Sequence, residues 1–180
     1  MYMNRVAKFE KVSYEQFKKD WMDTFEKKYT DWDEDVVDKV IRDIYDSIKL
    51  PKRATSGSAG YDFFCPYRMC IENNGVVKIP TGIRCQMAKG CVLQCYPRSG
   101  HGFKYGVHLA NTVGIIDEDY YGSDNEGHIF IKLVNDSALA KPIELNAGDA
   151  FCQGILIPYG ITVDDDVAEV RNGGFGSTDK

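Results

Sequence analysis

Gly82-Ile83-Arg84-Cys85-Gln86-Met87 and Cys91-Val92-Leu93-Gln94-Cys95-Tyr96 are two short runs rich in apolar residues, parted by Ala88-Lys89-Gly90. Runs of this length bounded by turn residues read as strands, because a helix needs ten or more residues to show its period. The same texture holds from Ala54 onward. Further candidates are Gly60 to Phe64, Gly75 to Ile79, Val107 to Leu109, Ile129 to Val134, Ile143 to Leu145 and Phe151 to Pro158, separated by Gly, Pro and Asn turns. Many short strands at this spacing predict a mainly β fold: a sandwich, a jelly roll or a barrel.

The N-terminal pattern is different. Val6 to Val12 alternates loosely, as one short strand would. Ser13 with Gln16 three positions on has the form of a capping box, and Phe17, Trp21 and Phe25 follow at helical spacing, predicting a helix from about 14 to 29. A second helix opens on Asp33-Glu34-Asp35, acids suited to the positive end of the helix dipole. It carries Val37, Val40, Ile41, Ile44 and Ile48 on one stripe and stops before Pro51. Residues 13–49 thus read as a helical hairpin inserted ahead of the β region, either packed on the main body or offering a surface to a protein partner. At the other end, residues 169–180 contain Arg171-Asn172-Gly173-Gly174-Phe175-Gly176-Ser177-Thr178, too glycine-rich for a core strand and read as a flexible arm.

Composition narrows the functions. A chain of 180 residues suits a single domain, and a net charge of −5 argues against nucleic-acid binding. No secretory signal is expected at the N-terminus and no apolar run is long enough to span a membrane, so a reduced, cytoplasmic protein is predicted. The six cysteines make no CxxC half-site, and His101, His108 and His128 have no ligand spacing, so no structural zinc is expected. Asp117-x-Asp119 begins like a calcium loop, but Tyr121 and His128 stand where further acids belong. Gly100-His101-Gly102 lacks the third glycine of a dinucleotide fingerprint, and no GxxxxGK[ST] loop occurs.

Gly114-Ile115-Ile116-Asp117-Glu118-Asp119-Tyr120-Tyr121-Gly122 sets three acids and two tyrosines after a short apolar run. Such a group is either a solvated turn or a site for water, metal or sugar. Pro97-Arg98-Ser99-Gly100 offers a guanidinium and a hydroxyl to an anion. Taken in order, Ser58-Ala59-Gly60-Tyr61-Asp62, Pro97 to Gly100, Gly114 to Tyr120, Gly148-Asp149-Ala150-Phe151-Cys152-Gln153 and Gly173 to Thr178 resemble the five motifs of the trimeric dUTPase family. The resemblance covers about residues 50 to 180. It departs at Ala150, where the family usually has arginine, in an arm one residue shorter between Arg171 and Phe175, and in the hairpin, which has no counterpart in the minimal family fold.

That resemblance implies a distorted β-barrel or jelly roll forming a homotrimer with interfacial active sites. It implies hydrolysis of dUTP to dUMP and pyrophosphate, with Mg²⁺ held mainly by substrate phosphates and water. Asp117 would be the general base, and Asp62 would brace the water or a neighbouring loop. Arg98, Ser99, Gly100, Gln153, Arg171, Gly176, Ser177 and Thr178 would meet the phosphates, with Arg171 at the γ-phosphate end. Asn111, six residues before Asp117, would line the uracil pocket, Phe175 would lie over the base, and Tyr120 would pack flat against the deoxyribose to exclude a 2′-hydroxyl. Glu118 is then expected to be exposed and Asp119 to brace the turn. A dCTP deaminase of the same fold is the rival enzyme, but Phe103 and Lys132 stand where it needs arginine and glutamate. A nucleotide-sensing regulatory protein that uses the hairpin as its partner surface is the rival of another class.

Overall fold

Two residues past strand β1 (Ala7–Lys11), Ser13 caps helix α1 (Tyr14–Phe25), its hydroxyl accepting the Gln16 N–H at 3.1 Å. Only half of the capping box forms: Ser13 caps the helix, but its own N–H donates to Glu126 at 2.7 Å and the Gln16 side chain turns to Asp20 at 2.9 Å. The α-helix is also shorter than its apolar spacing predicted. Phe25, at φ −126°, leaves the helical region, and a 3₁₀ turn (Glu26–Lys28) carries the chain to Tyr29, whose hydroxyl accepts the Trp21 indole N–H at 3.1 Å. Helix α2 (Glu34–Ser47) is capped by Asp33, which accepts the N–H groups of Asp35 and Val36. It ends where Ile48 turns extended, at ψ 125°. The computed structural model describes residues 4–169 and 171.

The hairpin is part of the core. Phe17, Trp21 and Ile41 are fully buried within the same apolar cluster as the strands. Gly82, at φ +71°, shows how close the layers lie: a Cβ there would sit 2.3 Å from Ile48 Cδ1.

The remaining elements are β2 (Lys52–Arg53), β3 (Tyr61–Phe64), β4 (Met69–Ile71), β5 (Val76–Pro80), β6 (Ile83–Met87), β7 (Cys91–Pro97), α3 (Ser99–Tyr105), β8 (Val107–Leu109), β9 (Gly114–Ile116), β10 (Phe130–Asn135), β11 (Ile143–Leu145) and β12 (Ala150–Pro158). All ladders are antiparallel. One sheet runs β2-β3-β12-β7-β9, another β5-β10-β8, and β1-β6 and β4-β11 form pairs. The result is mainly β and jelly-roll-like, without a single closed ring of strands among the described residues. The two runs on either side of Ala88-Lys89-Gly90 belong to different sheets, β6 pairing with β1 and β7 lying between β12 and β9.

Helix α3 was not predicted, because Gly100 and Gly102 lower helix propensity within it. Its end is fixed by Gly106 at φ +66°, whose N–H returns to Gly102. Five of the six cysteines are buried and all are free thiols. No helix among the described residues is long and apolar enough to cross a membrane.

Candidate active site

Strand β12 brings the first cluster together by pairing with β3 on one side and β7 on the other. Gln153 stands opposite both Asp62 and Tyr96. Arg98, just past β7, lies with Nε 3.3 Å from Asp62 Oδ1 and donates from Nη1 to the Ala150 carbonyl at 3.4 Å. Gln153 Nε2 donates to the Pro97 carbonyl at 3.2 Å. Gly60 leaves room for this amide, since a Cβ would come within 2.7 Å of Gln153 Oε1. Ser99 and Gly100, the first residues of α3, are exposed beside Arg98. Four predicted phosphate contacts and Asp62 therefore share one solvent-facing edge.

The second cluster surrounds β9. A cavity of about 500 Å³ is lined by Asn111, Gly114, Ile116, Asn125, Phe130 and Lys132 among others. Tyr120 is buried in the 3₁₀ turn that follows, its hydroxyl donating to the His128 carbonyl at 2.8 Å and accepting from Asn125 Nδ2 at 2.8 Å. Asp117 follows β9 directly with a half-exposed carboxylate, on a second cavity of about 620 Å³ that includes Gln94, Asp119, Tyr159 and Arg171.

One reading of this stretch changes, that of Glu118. Arg171, expected at the γ-phosphate end, donates from Nη2 to Asp117 Oδ2 at 2.5 Å and from Nε to Asp119 Oδ1 at 2.9 Å, with its guanidinium 5.9 Å from the Tyr120 ring centre. Two carboxylates at one strand end hold the guanidinium between them. Glu118, expected to be exposed, is half-buried and accepts the Gly90 N–H, tying the turn to the β6–β7 connection. Phe175, Gly176, Ser177 and Thr178 lie outside the described residues.

The two clusters do not meet within one chain. β9 pairs with β7 through Gly114 opposite Cys95 and Ile116 opposite Leu93, so Asp117 falls beside Val92. Arg98, just past the far end of β7, is six residues beyond Val92, roughly 20 Å at the rise of an extended strand.

Sequence reasoning missed Asn125, Asp20 and His128. Asp20, on α1, is almost fully buried and next to Trp21 on the inward side, and a carboxylate on an apolar stripe was the available signal. His128, dismissed as a metal ligand, bonds Asp20 through Nδ1 at 2.5 Å.

The chain is thus a small jelly-roll-like β protein with an arginine-bearing polar edge and an acid-bearing pocket near opposite ends of one strand. Comparison with known proteins gives the family. The dUTPase family model matches residues 46–179, and the chain belongs to that family. It is 39% identical over 134 residues to the deoxyuridine 5′-triphosphate nucleotidohydrolase of Lactococcus lactis, covering 73% of this chain and 88% of that protein. The Nitrosospira multiformis enzyme of the same name is 38% identical over 144 residues, covering 73% and 89%. Among solved structures, the dUTPase of Streptococcus mutans superposes with a TM-score of 0.58 at 38% identity, over 65% of this chain and 90% of that one. A dUTPase mutant from phage phi11 of S. aureus, described with a structural Mg(II) ion, shares the fold at a TM-score of 0.56 and 20% identity, over 68% and 92%. Residues 13–45 lie outside the matched family region.

Proposed function

We propose that the protein hydrolyses dUTP to dUMP and pyrophosphate, with Asp117 as general base for a water that attacks the α-phosphorus. Such a reaction limits uracil in DNA and supplies dUMP for dTMP synthesis. The observation that carries the reading is the half-exposed Asp117 carboxylate lining the second cavity, one turn from Tyr120 and six residues after Asn111, which lines the first. Asn111 selects uracil, Tyr120 rejects the ribonucleotide, and Phe175 covers the base. Arg98, Ser99, Gly100, Gln153 and Arg171, with Gly176, Ser177 and Thr178 of the arm, neutralise the phosphates.

A general base acts within hydrogen-bond reach or through one water, so phosphate donors roughly 20 Å from Asp117 cannot serve it from the same chain. A second copy must bring its Arg98 edge to Asp117, which supports sites between copies, as in the homotrimer that the family resemblance implies. Arg171 must then leave Asp117 for the phosphates, uncovering the lone pairs that take the water's proton. Mg²⁺ belongs on the triphosphate, with phosphate oxygens and water as its main ligands; Asp62 and Asp117 offer the hard oxygen atoms that suit contact through its water shell. Bound there, it neutralises charge on the phosphates. We place the protein in the cytoplasm.

The deciding experiment measures pyrophosphate release from dUTP, dTTP, dCTP and UTP with and without Mg²⁺. Mg²⁺-dependent release selective for dUTP is expected. Ammonia from dCTP would sink this reading in favour of the deaminase, against which Lys132 in the cavity already speaks, since an ammonium cannot replace a glutamate acid/base. A second role, binding a protein partner through the hairpin, draws on Trp32 and Val36, each about half exposed on its outer side. Substituting both to Ser while following turnover and partner capture separates that role from catalysis.

A further inference from the structure

The helical hairpin reaches Tyr120 through a buried chain of hydrogen bonds. His128 is fully buried, and its Nε2 accepts the Gly82 N–H at 2.8 Å. A backbone N–H can only donate, so Nε2 is unprotonated, the ring proton sits on Nδ1, and Nδ1 donates it to Asp20 Oδ2 at 2.5 Å. The contact is a neutral imidazole on a carboxylate. Gln16, one turn earlier on α1, donates to the same oxygen at 2.9 Å. The other end of His128 faces the site, its carbonyl accepting the Tyr120 hydroxyl at 2.8 Å.

A second tie holds the same loop. Ser13, the cap of α1, donates from its N–H and its hydroxyl to the Glu126 carboxylate at 2.7 and 2.6 Å. Glu126 itself sits at φ +57°, a backbone conformation that a non-glycine residue keeps only when held. The hairpin thus fixes both residue 126 and residue 128. Burying a carboxylate is costly unless its bonds are made, and an apolar residue would fill the Asp20 position at lower cost. What the carboxylate adds is direction: it fixes the imidazole, and with it the carbonyl that orients Tyr120.

We infer that Asp20 and His128 are positioning residues for sugar discrimination, linking the helical hairpin to the face that Tyr120 turns to the nucleotide. The inference rests on the reading of Tyr120 as the group that excludes a 2′-hydroxyl. It makes selectivity for dUTP over UTP depend on a side chain outside the region that matches the family.

The test measures kcat/KM for dUTP and for UTP on the full chain carrying Asp20→Ala, Asp20→Asn or Tyr120→Ala, with circular dichroism at the assay temperature. Asp20→Ala is expected to lower the dUTP/UTP ratio roughly ten- to a hundredfold, the scale on which small displacements of substrate-contacting groups act. Asp20→Asn, whose amide oxygen still accepts from Nδ1 and Gln16, is expected to keep most of the ratio, which a loss of charge or general destabilisation would not explain. A folded Asp20→Ala with the wild-type ratio overturns the inference. If Asp20→Ala does not fold, Asp20→Leu, of similar shape but unable to accept the proton, takes its place with the same two outcomes. Unchanged rejection of UTP in Tyr120→Ala, or no dUTP turnover in the wild type, would instead overturn the sugar-gate reading itself.

Discussion

Arg171 closes over Asp117: its guanidinium meets Asp117 Oδ2 at 2.5 Å and Asp119 Oδ1 at 2.9 Å, engaging one of the two carboxylate oxygens of the proposed base. A triphosphate, richer in charge than two carboxylates, is the ligand that can draw it away. Arg171→Gln is therefore expected to raise KM for dUTP roughly 10- to 100-fold, the scale of a hydrogen bond to a charged group, with a smaller change in kcat. Steady-state kinetics separates the two. A rise in kcat/KM would mean that the pairing is purely inhibitory and that Arg171 has no part in holding phosphate.

Asp117→Asn keeps shape and loses the base. Turnover of dUTP is expected to fall by at least ~10², the usual contribution of general-base catalysis, with little change in nucleotide affinity. Pyrophosphate release and equilibrium binding of a non-hydrolysable analogue check the two halves of this statement. Unchanged turnover would remove Asp117 from its role.

Separation along β7 gives a test of assembly. Arg98→Ala and Asp117→Asn each disable one cluster, and in a single-chain site no mixture of the two could recover. If the site joins clusters from two copies, unfolding and refolding the variants together creates interfaces with both clusters intact. Random mixing is expected to restore roughly a quarter of wild-type turnover. Failure of the mixture to exceed either variant alone, with trimers present, would argue for a site within one chain.

Much of this was legible in the sequence because local rules decided it. The Ser13 cap, the Asp33 cap and the eight β-type runs follow from residue chemistry within a few positions, and the structure keeps them with ends shifted by a residue or two. The ordered motifs likewise marked Asp62, Arg98 and Gln153, which β12 assembles on one edge. What could not be read was pairing. Nothing local says that β6 and β7, adjacent in sequence, belong to different sheets, or that Asp117 lies beside Val92 rather than near Arg98. The Asp20–His128 contact spans 108 positions, and neither residue advertises the other.

The hairpin's contribution to stability follows from Trp21. Its ring is fully buried between Phe17, Phe25 and Tyr67, with centroids 5.3, 4.7 and 4.8 Å away, and its indole N–H is satisfied by Tyr29. Trp21→Ala empties a large core volume and strands the Tyr29 hydroxyl. The expected loss is about 3–5 kcal/mol, read from urea unfolding, with Trp21→Phe losing less. A loss below about 1 kcal/mol would show that the hairpin is packed loosely enough to be dispensable for folding.

The Asp20–His128 pair also sets a pH dependence of stability. Burial holds the His128 pKa below its ordinary value, although Asp20 pulls it upward; the charges of Lys78 and Glu126 also act on the ring. For Asp20, burial works to raise the pKa, but the hydrogen bonds from His128 and Gln16 outweigh it and hold the carboxyl below the ordinary range. Both folded-state values are depressed, so the unfolded chain binds protons first as the pH falls, and stability falls with it. For His128 the contribution is complete above its unfolded pKa of about 6.5 and is lost progressively below that value, at up to about 1.4 kcal/mol per pH unit. For Asp20 the loss begins lower, near the ordinary carboxylate range. Urea midpoints for the wild type are expected to drop between pH 7 and 5.5, and His128→Asn, which has no titrating ring, is expected to flatten that window while keeping the steeper carboxylate-driven fall below about pH 4.5. Equal slopes for the two proteins from pH 7 to 5.5 would show that His128 takes up its proton as readily in the fold as in the unfolded chain.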